Sequence, residues 1–465
     1  MATVVSYGAA EVVTGSCHVL HIEGGPKIMI DCGMFQGREE ERNWEPFDFD
    51  PSEIDYLLVT HAHLDHVGRI PKLVKEGFDG KIYATAATMD LAEVILLDSA
   101  KIMREDYETN YKKAQRRGKE DKVRAPLYEE GDVEKTFDLY WHHPRYGETF
   151  TLHKGVDVTY RDAGHILGSA FIEIAYTEHG TRRTIVFSGD IGNDNDMVLP
   201  SLQPCAHADD LYVESTYGDR NHQDRDSSIA EFKRIVIDTL HDWGNVLIPS
   251  FAVERTQEIL CLLREMHERG ELPECKVFLD SPMATRATQV YQKYDKLLSE
   301  QCRRNQKKTG SVFEFENLVY TPDVEDSKKI NEIDRRAIII AGSGMCTGGR
   351  ILHHFKHRLW NRKNAVIFVG YQAVGTLGRH IVEGARFVKI YHEDILIRAQ
   401  IHTINGFSAH ADQQAIVRWV SGIEGLKRIF LIHGEEDKQV ILRSVLKNTL
   451  HEKTHIVEPE EVVYL

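Results

Sequence analysis

The stretch Thr60-His61-Ala62-His63-Leu64-Asp65-His66-Val67-Gly68 constrains this chain more than any other. It follows the apolar run Ile54-Asp55-Tyr56-Leu57-Leu58-Val59, whose length and composition predict a buried strand. The pattern after Gly68 (Ile70, Leu73, Val74) predicts a helix. Three histidines and an aspartate therefore crowd one strand-to-helix turn, where side chains converge instead of spreading along a face. His61 and His63 can reach one cation from one side, and Asp65 and His66 a second from the other. Imidazole and carboxylate without cysteine suit a catalytic zinc better than a structural one. The bland alternative is a chance histidine-rich loop.

A chain of 465 residues exceeds one ordinary core, which predicts two domains. No apolar run approaches a membrane span, and Met1-Ala2-Thr3-Val4 begins no basic-then-apolar signal, so no membrane partner is expected. Cys17, Cys32, Cys205, Cys261, Cys275, Cys302 and Cys346 are odd in number, scattered and without a CxxC pair. They read as reduced, mostly buried thiols, which makes the cytoplasm the expected location. A net charge of −15 excludes a protein that coats nucleic acid non-specifically. It does not exclude nucleic acid as a substrate, because bound cations supply positive charge where a phosphate sits. The sequence is as compatible with an oligomer as with a monomer.

Along the chain, residues 1–35 read as strands, with Gly24-Gly25-Pro26 turning between 17–22 and 27–31. Asp31 ends an apolar strand, and a nearly buried carboxylate needs partners; a hydrogen bond to a metal ligand is the natural one, a plain turn the alternative. A strand over 81–84 and a long helix from about 88 to 117 follow, then a polar helical excursion over 118–145. The strand 156–160 runs into Asp162-Ala163-Gly164-His165-Ile166-Leu167-Gly168-Ser169, where His165 suits a third ligand for the first cation. The strand 183–187 ends in Ser188-Gly189-Asp190, again a carboxylate at a strand tip. From Asp210 helices alternate with short apolar strands, including helices near 284–306 and 348–360, which is the signature of a parallel α/β sheet buried on both faces. Past Tyr391 the earlier style returns, with a strand over 399–404, Phe407-Ser408-Ala409-His410-Ala411-Asp412, and a strand 428–432 ending in His433-Gly434-Glu435. The α/β unit, 209–394, reads as an insertion into a domain formed by 1–208 and completed by 395–465.

HAHLDH at 61–66, His165 in GHILGS, Asp190 in FSGD and Asp31 at a strand end together resemble the metallo-β-lactamase fold. Glu214, His410 in GFSAHAD and His433 in LIHGE resemble the further motifs of its β-CASP branch of nucleic-acid-processing nucleases. Within that branch the chain is similar to the prokaryotic relatives of the eukaryotic pre-mRNA 3′-end cleavage endonuclease, over essentially its whole length. GSGMCTGGRILHH (342–354) and GYQAVGTLGR (370–379) strengthen the likeness; no RNA-binding extension precedes the catalytic part. The resemblance implies an αββα sandwich with an inserted α/β β-CASP domain capping two zinc ions. It implies His61, His63 and His165 on one zinc, Asp65, His66 and His433 on the other, and Asp190 bridging.

The activity so implied is hydrolysis of RNA phosphodiesters by a two-metal-activated hydroxide, leaving 5′-phosphate and 3′-hydroxyl ends, by endonuclease or 5′–3′ exonuclease action. Asp65, Glu214 and His410 are the catalytic candidates: His410 as proton donor to the leaving ribose oxygen, Glu214 as its orienting partner. Substrate contacts are expected at Ser343, Gly344, Arg350 and Arg379, in or beside glycine-rich loops whose N–H groups can take a phosphate. Arg255 is a lesser candidate. Arg350, His353, His354, Lys356, His357 and Arg358 read as a local basic surface. A cap over the metals favours a single-stranded polymer. The competing readings are a non-catalytic RNA-binding partner and a hydrolase of another ester on the same fold.

Overall fold

The computed structural model describes residues 1–139, 141–194, 196–304, 310–373, 375–450 and 453–465. The chain divides into two compact units, the first formed by Met1–Asp194, Ser201–Asn221 and His410–Leu465, the second by His222–Ala409 with a short segment ending at Pro200.

In the first unit two seven-stranded sheets carry the fold. One runs, in spatial order, Val462–Tyr464, Thr3–Gly8, Cys17–His21, Lys27–Ile30, Tyr56–Leu58, Lys81–Tyr83, Trp141–His142. The other runs Lys453–Ile456, Arg428–Ile432, Asp210–Glu214, Thr181–Phe187, Ala170–Glu178, Val156–Asp162, Thr149–His153. Alternation along these strands sends Leu20, Ile28, Ile30, Tyr160, Ile172, Ile174, Phe187, Tyr212 and Ile432 into one shared core. Each such side chain contributes about 1.5–3 kcal/mol by leaving water. The opposite face of the second sheet offers Phe171, Val186, Leu211, Val213 and Leu431 to Ile416 and Trp419 of the helix Gln413–Ser421 and to Leu442 and Leu446 of the helix Glu436–Leu450. On the first sheet Met29, Leu57 and Ile82 are buried although they point away from the shared core. The long helix Ala86–Gln115 buries Leu91, Ala92, Ile95 and Leu96 in its early turns and is largely solvated later.

The second unit is built on a six-stranded, all-parallel sheet in the order Leu318–Tyr320, Lys276–Leu279, Ala337–Ala341, Val246–Pro249, Ala365–Phe368, Gln400–Thr403. Its inner strands are buried on both faces, as a parallel sheet between helices requires.

Three sequence-based expectations need correction. Asp210–Glu214 pairs with Thr181–Phe187 and Arg428–Ile432, so it belongs to the first unit, and the chain crosses over after Asn221 instead of at 208. Gln400–Thr403 pairs with Ala365–Phe368, which keeps it in the second unit up to Ala409 instead of 394. Both strands sit at junctions, where pairing partner rather than residue pattern decides membership. The helix near 284–306 is two: Pro282–Lys293 stops at Tyr294, and Glu300–Arg304 follows after a turn. Its far end, 305–306, lies outside the described residues.

Candidate metal centre

The first unit gathers its polar residues where strands end. Tyr56–Leu58 delivers Thr60 and His61, and His63 stands at the entry of the short helix Leu64–Val67, which turns Asp65 and His66 back towards the same point. His165 follows the strand Val156–Asp162, Asp190 follows Thr181–Phe187, and His433 follows Arg428–Ile432 in a left-handed conformation (φ 50°). Close approach requires glycine beside them. A Cβ at Gly33 would fall 1.6 Å from the Asp65 carbonyl oxygen, and one at Gly189 2.7 Å from Thr60 Cβ.

Two clusters result. His61 Nε2 and His165 Nε2 each lie 3.1 Å from His63 Nδ1, and 3.5 and 3.6 Å from Asp190 Oδ2. His66 Nε2 lies 3.1 Å from His433 Nε2 and 3.4 Å from Asp190 Oδ1, and Asp65 Oδ2 is 3.5 Å from His433 Nε2. Asp190 thus turns one oxygen to each cluster. Among the described residues these side chains form groups whose donor atoms lie within 4.8 Å of one another.

The surrounding hydrogen bonds fix what those atoms can be. His66 Nδ1–H donates to Asp31 Oδ2 (2.7 Å), and Thr60 Oγ–H donates to the same oxygen (2.7 Å) while accepting from His61 Nδ1–H (3.0 Å). The Thr60 amide donates to Asp31 Oδ1 (2.7 Å), and Asp31 is buried. Thr216 Oγ1 accepts from His433 Nδ1–H (3.2 Å). With those protons committed, the Nε2 atoms of His61, His66 and His433 turn lone pairs inward, two of them facing each other at 3.1 Å. Buried lone pairs so arranged repel unless a cation lies among them. Asp190 Oδ1, buried and without a hydrogen-bond partner, makes the same demand. The donor set fits a metal.

The charge states agree. Burial lowers His61 far below an ordinary histidine and His63 to about 4, leaving both as neutral, ligating rings. Burial opposes ionisation of Asp190, but His433, His66 and His61 outweigh it and hold the carboxyl well below the usual range. At His66 burial favours the neutral ring, yet Asp190 and Asp31 raise its proton affinity, so a cation would compete with a proton there.

Beside the clusters, Glu214 is wholly buried at the end of its strand. Its Oε1 accepts from the Ile191 amide (2.7 Å), and the carboxylate meets His410 Nδ1 at 3.2 Å. Burial works against charge on His410, but Glu214 and Asp190 overcome it and push the ring up to about 9. His410 Nδ1 is 3.9 Å from Asp190 Oδ2. Asn193 fastens this loop, donating from Nδ2 to the His410 carbonyl and accepting from the Asp412 amide (3.1 Å).

Thr60, Thr216 and Asn193 were not singled out from sequence. Their neighbours His61, Glu214 and Asp190 were, and adjacency to a strand-tip ligand is the signal that could have found them.

The remaining candidates lie in the second unit. Arg350 does not present a free guanidinium: it donates to Asp280 Oδ1 (2.8 Å) and to the carbonyls of Thr321 (2.6 Å) and Pro322 (2.7 Å). The expected basic face of the helix Ile351–Arg358 is likewise half turned inward. His354 is buried against Asp280 Oδ2 (2.7 Å), and buried Arg358 donates to the Ile330 carbonyl. Ser343 Oγ accepts from the Thr347 amide (3.0 Å) and so closes its own loop around buried Gly344. Arg379 pairs with Glu383 (2.7 Å), and buried Arg255 with Glu258.

A two-sheet sandwich with histidines and carboxylates converging at its strand ends defines a metallohydrolase, and comparison with known proteins agrees. Residues 10–238 match the metallo-β-lactamase superfamily profile, 256–381 the β-CASP domain, and 394–457 the Zn-dependent metallo-hydrolase RNA specificity domain. The chain is 42% identical to Ribonuclease TTHA0252 of Thermus thermophilus over 95% of each chain. It is 31% identical to Transcription termination factor FttA of Methanocaldococcus jannaschii over 97% of this chain and 69% of that one. With FttA of Methanosarcina mazei it shares 30% over 99% and 71%. The chain belongs to the metallo-β-lactamase superfamily, in the branch that carries a β-CASP domain.

Proposed function

We propose that this protein is a zinc-dependent ribonuclease of RNA processing or decay that holds two zinc ions and cleaves single-stranded RNA in the cytoplasm. His61, His63 and His165 would hold one ion, Asp65, His66 and His433 the other, with Asp190 shared. The observation that carries this is the convergence of those side chains on two adjacent points, with His410 paired to buried Glu214 alongside. The likeness to a named ribonuclease and the match to an RNA specificity domain supply the substrate class. Seven free, buried cysteines suit a reducing compartment. Among the described residues no helix is long and apolar enough to cross a membrane.

Two zinc ions, when bound, supply Lewis acidity that acidifies water and offsets charge on the phosphoryl oxygens. The protein supplies the rest. Asp31, Thr60 and Thr216 hold the His66, His61 and His433 rings in the tautomer that turns Nε2 inward. His410 keeps a proton on its ring and gives it to the departing ribose oxygen, and Glu214 stabilises the imidazolium until that step. No serine or cysteine nucleophile is required.

The test is a long RNA bearing a 5′-triphosphate or a 5′-monophosphate, incubated with the zinc-loaded protein and sized. Internal fragments from both forms indicate an endonuclease; mononucleotides from the monophosphate form alone indicate a 5′-exonuclease. His63→Ala or Asp190→Asn should abolish either product while circular dichroism stays unchanged. Variants that cleave like the parent would contradict the reading.

A further inference from the structure

In the second unit, Val246–Pro249 lies between Ala337–Ala341 and Ala365–Phe368, all three parallel. Their carboxyl ends therefore open on one rim, the edge at which parallel α/β sheets bind ligands. The first strand is followed by Ser250-Phe251, the second by Gly342-Ser343-Gly344, the third by Val369-Gly370-Tyr371. Phe251 is 41% exposed and Tyr371 50%.

Phe251 is held by backbone. A Cβ at Gly344 would fall 2.7 Å from Phe251 Cδ2 and Cε2, so glycine there is what lets the ring lie against the main chain, and Gly370 borders the same ring at ordinary contact distance. Gln372 ties the two loops together, donating from Nε2 to the carbonyls of Gly344 (3.0 Å) and Gly370 (3.1 Å). Phe251 is thus a supported ring with exposed surface, and Tyr371 rises from the residue next to its support.

We propose that Phe251 and Tyr371 form a platform on which bases of the bound RNA strand stack, a role that rests on the ribonuclease reading above. Its surroundings favour a base over a protein partner. Phe251 is bordered by Gly344 and Gly370, and the loops that carry them hold Ser343 and Gln372, whereas a protein-docking face would present a contiguous apolar patch. Aromatic rings beside exposed main chain are how single strands are gripped without regard to sequence, because every base has a π-face.

The experiment measures KM and kcat of the zinc-loaded full chain on oligoribonucleotides in which one abasic ribose is moved along the strand. Phe251→Ala should raise KM about tenfold on the intact strand, within the roughly 5- to 150-fold effect of losing one base–aromatic stack, and leave kcat near parental. In the parent one abasic position should raise KM similarly; in Phe251→Ala that position should have no further effect. Phe251→Tyr should restore the parental KM, and Tyr371→Ala, which removes a ring already half in solvent, should raise it. Parental KM in both alanine variants, or losses that add at every abasic position, would overturn the platform alone. A parent protein that leaves every strand intact would overturn the ribonuclease reading itself.

Discussion

Glu214 is wholly buried and commits one oxygen to the Ile191 amide, so much of its remaining charge falls on the His410 ring 3.2 Å away. A ring so paired keeps its proton through neutral pH, which is what an alkoxide leaving group needs. His410→Ala should therefore slow RNA cleavage by about 10²–10⁴. The same variant should hydrolyse a p-nitrophenyl phosphodiester at close to the parental rate, because nitrophenolate departs without a proton. Equal losses on the two substrates, measured by initial rates, would remove His410 from that role. At this scale the sequence was informative where the chemistry is rare: four ligand-type side chains in six positions at 61–66 have few other uses. It was silent on Thr60 and Thr216, since a hydroxyl is common and acquires its role from the ring it meets. It did not show the partner of Arg350, because nothing near residue 350 announces a buried carboxylate at Asp280, seventy positions earlier.

Strand ends are the recurring device at the scale of elements. In the first unit they present metal-type ligands; in the second, Lys276–Leu279 ends in Asp280, which accepts from Arg350, His354, Thr321 and Ser327 at 2.7–3.0 Å and is fully buried. Removing it strands an arginine and leaves three other donors without their acceptor. Asp280→Ala should destabilise the second unit by about 3–5 kcal/mol. Urea denaturation checks this, and a loss below about 1 kcal/mol would mean that water replaces the carboxylate. Apolar runs bounded by glycine or polar residues made most strands legible, and 3.6-residue spacing the long helices. Leu318–Tyr320 and Phe387–Ile390 were missed because short strands with exposed residues carry little periodicity. Asp210–Glu214 and Gln400–Thr403 were found but assigned to the wrong units, since a strand's sequence does not name its neighbour.

Across the whole molecule, the first unit is assembled from both ends of the chain. His433 reaches Asp65 and His66 from the end of Arg428–Ile432, which pairs with Asp210–Glu214, and Val462–Tyr464 pairs with Thr3–Gly8 in the other sheet. A cation held there would join segments 367 residues apart, as the 3.1 Å approach of His66 and His433 marks. Under the proposed function it would also place positive charge, in a protein of net charge −15, where the scissile phosphate binds. The central claim is that these segments cage a pair of zinc ions, and metal content is its most direct measure. Elemental analysis of the purified full chain, dialysed against metal-free buffer, should give about two zinc ions per chain, and His433→Ala about one, with RNA cleavage lost. A parent chain with less than one zinc, or a His433→Ala variant that keeps the parental content and activity, would contradict it.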